Sequence, residues 1–81
     1  MTIKLDCKKL NKKPLFIARM QRIFPETYSL NYDSLIDGAR GTNEEVTIEI
    51  INFDRYEDSE NLKEVLAIIE KENPSVRFVF R

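Results

Sequence analysis

The stretch VTIEII, residues Val46–Ile51, is the clearest strand in the sequence. Its apolar positions 46, 48, 50 and 51 are all β-branched, and such side chains fit the pleated surface of a sheet. A polar loop, Thr42–Glu45, precedes the stretch, and Asn52-Phe53-Asp54 leaves it. The sequence therefore predicts a strand with a loop on either side.

A short helix is predicted before this strand. Asn31 is a good N-cap residue, because its side-chain oxygen can accept an unpaired amide of the first turn. Gly41 suits the left-handed turn that ends a helix. The segment between them, Tyr32–Arg40, makes about three turns. One face of this helix is apolar and consists of Tyr32, Leu35, Ile36 and Ala39.

A longer helix and a last strand are predicted after Val46–Ile51. Asp58 or Ser59 can cap a helix that continues to about Asn73, where a proline follows. Val76–Phe80 then closes the chain as a strand. The expected buried residues are Leu62, Val65, Leu66 and Ile69 of the helix and Val76, Phe78 and Phe80 of the strand, whereas Ile68 is ambiguous.

The first part of the chain predicts a strand followed by a helix. Thr2–Asp6 alternates apolar and polar residues, as a short strand does. Asn11 can cap a helix that accepts Pro14 in its first turn and ends at Pro25. The apolar residues at helical spacing, expected in the core, are Leu15, Phe16, Ile17, Met20, Ile23 and Phe24.

The resulting order of elements, β-α-α-β-α-β, indicates the fold class. Strands separated by helices favour a parallel sheet with right-handed crossovers, and a chain of 81 residues allows three such strands. We therefore predict an α/β fold with a three-stranded parallel β-sheet and packed helices. Residues 1–81 are expected to form a single small domain.

Composition argues against an enzyme or a membrane protein. The chain has no histidine, so it lacks the commonest general base and the commonest transition-metal ligand. Its single cysteine, Cys7, has no partner for an internal disulfide, and we expect it to be structural or incidental and dispensable for function. No apolar run approaches the roughly 18 residues that a membrane span needs. We expect a cytoplasmic protein with no cofactor, no metal and no membrane partner.

Charge is divided unevenly along the chain. Residues 1–24 carry seven basic groups and one acid, whereas residues 25–73 carry thirteen acids and four basic groups. Acids gathered on one side of the fold would attract a basic partner and speed its encounter. We do not expect nucleic acid as a partner, because the lysines before the first helix are interpreted as a solvated turn.

Two aspartates, Asp33 and Asp37, lie on the polar side of the predicted Tyr32–Arg40 helix. They are i,i+4 neighbours of like charge, an arrangement that costs an isolated helix about 0.2–0.5 kcal/mol. One interpretation is an ordinary solvated face on which Arg40 neutralises Asp37. The other interpretation is a surface that binds a partner.

The segment around these aspartates carries a spaced set of residues. Its members are Tyr28, Asn31, Asp33, Leu35, Asp37 and Gly41. This set resembles, at the same spacing and without a gap, the corresponding segment of the barstar family of intracellular ribonuclease inhibitors. In that family the helix and the loop before it plug the nuclease active site. The resemblance implies that Asp37 makes the central contact and that Asp33 binds one turn earlier.

The resemblance implies an immunity protein, or antitoxin, for a bacterial ribonuclease toxin. It would be a monomer that forms a 1:1 complex with a cognate basic ribonuclease through carboxylates placed where RNA phosphates would sit. The implied partner-binding residues are Tyr28, Asn31, Asp33, Asp37 and Gly41, with no catalytic residue.

The sequence departs from the family pattern at three aromatic positions. Thr27 stands in place of a tyrosine, Ile36 in place of a tryptophan, and Thr42 near a second tryptophan. Ile36 either completes the core or keeps a contact role, and we expect it mainly on the inner face. The acidic contact that the family supplies from its last helix falls near Ile68, where Glu64 or Glu70 could substitute.

Two other functions stay open. A general interaction domain could use the same surface for an unrelated basic partner. An enzyme could use Asp33 and Asp37 as an acid and base pair, but such pairs need a concave, partly desolvated site that separates their pKa values. A short exposed helix on a small domain rarely offers such a site.

Overall fold

The computed structural model describes residues 1–81 and has the predicted order of elements. These are β1 (Thr2–Asp6), α1 (Lys13–Gln21), α2 (Tyr32–Arg40), β2 (Val46–Ile51), a single 3-10 turn (Phe53–Arg55), α3 (Ser59–Glu72) and β3 (Val76–Phe80). The predicted α/β order is confirmed, and the bounds of α2 and of all three strands are as predicted. None of the helices combines the length and apolar content needed to cross a membrane.

The three strands form a parallel sheet, as predicted, and the structure shows that β2 lies in its centre. Ile48 of β2 pairs with Ile3 of β1 on one side and with Phe78 of β3 on the other. Buried residues alternate with half-buried ones along β2. This alternation is that of a sheet with one face packed on a core.

The core joins the buried face of the sheet to all three helices. On α3 the predicted buried face is confirmed, and Ile68 is 41% exposed, which settles its position. Two expected core residues are exposed instead. Leu15 lies on α1 away from the buried stripe, and Phe80 ends β3, where its ring packs edge-on against Phe53 at 4.8 Å between centroids. The buried residues of α1 are Phe16, Ile17 and Met20.

Helix α1 differs from its prediction at both ends. It begins at Lys13, with Lys12 rather than Asn11 at the N-cap, and Lys12 makes no side-chain capping bond. The backbone N–H of Lys13 instead donates to the carboxylate of Glu57 at 2.8 Å. At its other end the helix ends at Gln21, and the chain continues in turns toward Pro25. A tertiary contact therefore replaces the local cap.

Two hydrogen bonds occupy backbone donors of β3, one of the two edge strands of the sheet. The backbone N–H of Phe78, on the edge strand β3, donates to Oε2 of Glu70 at 2.7 Å. Two residues earlier, the N–H of Val76 donates to the carbonyl of Asn73 at 3.1 Å. The Glu70 carboxylate is thus hydrogen-bonded to the backbone of β3.

Cys7 lies directly after β1 and is fully buried. Burial raises the pKa of its thiol to about 11, so the reactive thiolate is scarce at neutral pH. We expect a disulfide reagent such as DTNB to label Cys7 only after unfolding in guanidinium. Cys7→Ser should lower the free energy of unfolding by about 1–3 kcal/mol, because it buries a hydroxyl. Rapid labelling of the native protein would contradict a structural role.

Candidate binding surface

A local hydrogen-bond network joins α2 to the loop before it. Asn31 caps the helix as predicted, because its side-chain oxygen accepts the N–H of Ser34 at 2.8 Å. The amide nitrogen of Asn31 donates to Oγ of Ser29 at 3.2 Å, and the N–H of Ser29 donates to Oγ of Ser34 at 2.7 Å. Both ends of the Asn31 amide are therefore used within the chain, and the residue positions the loop.

The N-terminal turn of α2 is also held by its neighbours. The hydroxyl groups of Tyr32 and Tyr56 lie 2.8 Å apart in a hydrogen bond, and Nζ of Lys13 lies 5.3 Å from the centre of the Tyr32 ring. Burial raises the pKa of both tyrosines, so both stay neutral at physiological pH. These contacts tie α2 to α1 and to the segment before α3.

Asp33 and Asp37 are exposed on the outer side of α2. The inner side differs from the prediction, because Ser34 and Gly38 are fully buried beside the two apolar core residues of this helix. Tyr32 and Ile36, which were expected on the apolar face, are only partly buried. The inner face of the helix therefore includes two positions that carry no apolar side chain, and both carboxylates remain exposed on the outer face.

Arg40 links the acidic side of α2 to α3. Its Nη1 lies 3.1 Å from Oδ1 of Asp37, as the spacing of the two residues suggested. Its Nε and Nη2 also contact Oε1 of Glu72, at 2.8 and 2.6 Å. The hydrogen bond that Arg40 donates to the Glu72 carboxylate raises the pKa of Arg40, which stays charged. Asp33 has no ion pair, and Oδ2 of Asp37 has no hydrogen bond within the chain.

The carboxylate that α3 brings to α2 is Glu72, which the sequence did not single out. Of the two residues proposed from the sequence, Glu70 is held by β3, and Glu64 is exposed on α3 without an ion pair. The four charged groups Asp33, Asp37, Arg40 and Glu72 together carry a formal charge of −2. The resulting surface is acidic but contains one internal cation.

The loop before α2 adds apolar groups to the acidic helix. Tyr28 is 72% exposed and Leu30 is 45% exposed, whereas Thr27 between the helices is buried. The sequence analysis did not predict Leu30 as a site residue. Its only signal in the sequence was an apolar residue within a polar loop. The candidate surface thus consists of Tyr28, Leu30, Asp33 and Asp37, a combination of apolar contact and negative charge.

The close approach of Thr27 to α2 depends on Gly38. A Cβ atom at Gly38 would lie 2.6 Å from the backbone nitrogen of Thr27 and 2.8 Å from its Cα. The hydroxyl of Thr27 is buried without a hydrogen-bond partner. Thr27 therefore packs the loop against the helix, and it cannot replace the exposed aromatic residue of the barstar pattern.

Gly41 follows α2 as predicted, but the expected left-handed turn is wrong. Its φ of −86° and ψ of −1° are right-handed, a conformation open to any residue. The helix end is secured by Asn73, whose side-chain amide donates to the carbonyls of Ala39 and Thr42 at 2.8 and 2.9 Å. Backbone geometry therefore does not explain why position 41 is a glycine.

Ile36 is partly buried and packs against the core, in agreement with its expected inner position. We expect Ile36→Ala to lower the free energy of unfolding by about 1–2 kcal/mol, below the usual cost for a fully buried isoleucine. A urea titration measures this change, with the fully buried Leu35→Ala as the larger reference. An unchanged midpoint together with weaker partner binding would instead assign Ile36 a contact role.

Comparison with known proteins does not assign this chain to a family. A scan against protein-family models finds no match to this chain, and a search of curated proteins finds no significant relative. The resemblance to the barstar family therefore depends on the spaced residues from Tyr28 to Gly41 and on the order of the elements.

Proposed function

We propose that this protein is a cytoplasmic inhibitor of a ribonuclease, an immunity protein that blocks a basic active-site cleft with α2 and the loop before it. The observation that supports this proposal best is the exposed pair Asp33 and Asp37 beside the exposed side chains of Tyr28 and Leu30. Carboxylates on one helix face, together with an exposed aromatic ring in the loop before that helix, suit a cleft that binds phosphates and bases.

The inhibitory contact would be made by charge-assisted hydrogen bonds. Ribonuclease clefts hold RNA phosphates with cationic side chains, and a carboxylate can occupy a phosphate position in the same geometry. Asp33 is unpaired, and Oδ2 of Asp37 is available while Oδ1 is held by Arg40. Arg40 therefore fixes the orientation of Asp37 and leaves one oxygen to the partner.

Rigidity supports the same proposal. The Asn31 cap, the Tyr32–Tyr56 hydrogen bond and the packing of Thr27 on Gly38 hold the loop and the helix in one arrangement. Side chains and loops that are ordered before binding lose less conformational entropy in the complex. We therefore expect the surface to bind its partner without rearrangement.

A second candidate function is an interaction domain for a basic partner that is not a nuclease. Two positions that are aromatic in the family pattern hold Thr27, which is buried, and Ile36, which is partly buried. Tyr28 is therefore the one exposed aromatic residue of the loop and α2. Aromatic residues dominate many interface hot spots, and a surface with fewer of them favours a different partner from that of the family.

A ribonuclease assay separates the two functions. The purified protein is titrated into barnase-type ribonucleases, and into the partner that it captures from its own source, with a fluorogenic RNA substrate. We expect inhibition that saturates at one equivalent. The matched control is Asp33→Asn/Asp37→Asn, which preserves shape but removes both charges. A captured basic partner without ribonuclease activity would support the interaction domain.

Association with the partner should depend strongly on salt. An acidic surface that meets a basic cleft gains its encounter rate from charge attraction, which is screened over about 8–10 Å at ordinary ionic strength. We expect the stopped-flow association rate to fall by about tenfold between low and high salt, with a smaller change in the dissociation rate. The same series with Asp33→Asn/Asp37→Asn should be flatter. An association rate independent of salt would contradict electrostatic steering.

A further inference from the structure

The strand β1 forms one edge of the sheet, because β2 is its only partner strand. In a parallel pair the backbone groups of every second residue point toward the partner, and those of the residues between point away. The N–H of Thr47 on β2 donates to the carbonyl of Met1 at 2.8 Å. After the strand, the N–H of Cys7 donates to the carbonyl of Ile51 at 3.0 Å. The odd-numbered residues therefore face β2, and the residues whose backbone groups point away from the sheet are Thr2, Lys4 and Asp6.

These outward groups leave β1 open to a further strand. The carbonyl of Asp6 accepts the N–H groups of Lys9 and Leu10, at 3.0 and 2.9 Å, in the turn that follows the strand. The N–H groups of Thr2, Lys4 and Asp6 and the carbonyls of Thr2 and Lys4 have no hydrogen-bond partner in the chain. Free donors and acceptors on an edge strand are the template for the addition of a peptide strand.

A cavity of about 260 Å³ lies along this open edge. It is lined by three residues of β1, two of the following turn and one of α1, which are Lys4, Leu5, Asp6, Lys9, Leu10 and Arg19. Leu5 is buried and Leu10 is half-buried, so the cavity has an apolar part beneath its charged groups. It shares no residue with the candidate surface of α2 and the preceding loop.

The charges of this cavity favour an acidic occupant. Lys4, Lys9 and Arg19 take part in no ion pair within the chain. The one carboxylate, that of Asp6, accepts the N–H of Lys8 and the side-chain amide of Asn52, both at 2.9 Å. The four charged groups that line the cavity therefore carry a formal charge of +2. A second copy of the chain, paired through its own β1, would bring two such basic clusters together.

We propose that the open edge of β1 binds an extended acidic peptide segment of another protein, which adds to the sheet as a fourth strand. The peptide backbone would pair with the outward N–H and carbonyl groups of Thr2 and Lys4 and with the N–H of Asp6. Its carboxylates would lie against Lys4, Lys9 and Arg19. A peptide fits better than a nucleic acid, because only a peptide backbone alternates amide donors and carbonyl acceptors. The site is independent of the proposed function, since it has the opposite charge and different residues.

A hexapeptide that alternates glutamate with valine tests the site in an NMR titration of the ¹⁵N-labelled protein. We expect saturable shifts at the backbone amides of Lys4, Asp6 and Lys9. Hydrogen exchange of the Lys4 N–H should slow by about fivefold or more at saturation, because that group becomes hydrogen-bonded. A matched peptide with glutamine in place of glutamate should bind about fivefold more weakly, since opposite charges stabilise cross-strand pairs. The glutamate peptide methylated on every backbone nitrogen keeps its charge but should not slow this exchange.

Two protein variants locate the binding charge. Lys4→Gln/Lys9→Gln removes two exposed cations of the cavity and should weaken binding of the glutamate peptide by about fivefold. The matched control Lys63→Gln/Arg77→Gln removes two exposed cations from α3 and β3 and should bind as the wild type does. Circular dichroism checks that both variants are folded.

Four outcomes would overturn the proposal. The first two are the absence of saturable shifts along β1 and equal binding of the glutamate and glutamine peptides. The third is an oligothymidylate that shifts the same amides with equal affinity, which would indicate a general polyanion surface. The fourth is a change of these amides on dilution of the protein alone, which would assign the edge to a second copy of the chain.

Discussion

Gly38→Ala is expected to lower the free energy of unfolding by about 2 kcal/mol, although alanine is the better helix former. The new Cβ would lie 2.6–2.8 Å from backbone atoms of Thr27, so the loop or the helix must move. Overpacking of this kind costs about 1–3 kcal/mol or more, and the gain in helix propensity returns only about 1 kcal/mol. Since the loop carries Tyr28 and Leu30, partner binding should weaken as well.

Gly41→Ala is the matched control for Gly38→Ala. It makes the same substitution at the other glycine, but the new Cβ meets only the mobile end of the Glu26 side chain. We expect its unfolding midpoint in urea, followed by circular dichroism, to stay within about 0.5 kcal/mol of the wild type. Equal midpoints for both variants and the wild type would show that the packing of Thr27 on α2 does not constrain the fold.

Asp37→Ala is expected to weaken binding of the cognate ribonuclease by about 30- to 1,000-fold, the range of an interface hot spot of about 2–4 kcal/mol. Its carboxylate is half-exposed, and the substitution would leave a partner cation buried without its counter-charge. Asp33→Ala should have the second largest effect. The fold should be retained, because Arg40 keeps its contacts with Glu72.

Glu60→Ala provides the control for this prediction. It removes one negative charge from an exposed position in the first turn of α3, on a different helix from Asp33 and Asp37. Calorimetric titration gives the affinities, and circular dichroism checks the fold of each variant. If Asp37→Ala is unfolded, or if it binds as tightly as Glu60→Ala, the central role assigned to Asp37 is wrong.

The parts of the fold that were predicted from the sequence depend on local chemistry. The alternation in Val46–Ile51, the capping side chain of Asn31 and the apolar spacing of α3 each act within a few residues of their own position. Such signals depend little on the rest of the chain. They were sufficient for the element order and for the exposure of Asp33 and Asp37.

The parts that were missed depend on neighbours distant in sequence. The first turn of α1 is capped by the carboxylate of Glu57, 44 residues away from Lys13. The side chain of Asn11, predicted as the cap, does not cap the helix. Glu72 on α3 joins the acidic surface only through its contact with Arg40 on α2. The roles of Gly38 and Gly41 likewise come from atoms of Thr27 and Glu26. No pattern along the chain encodes these contacts.

The bond between Glu70 and the backbone of Phe78 also bears on how the protein behaves when it is concentrated. An edge strand with free N–H groups is a template on which a second chain can add a strand. On β3 the central donor is occupied by a carboxylate and the donor of Val76 by a carbonyl, so a second copy could extend the sheet there only by displacing both. Self-association through this edge is thereby opposed.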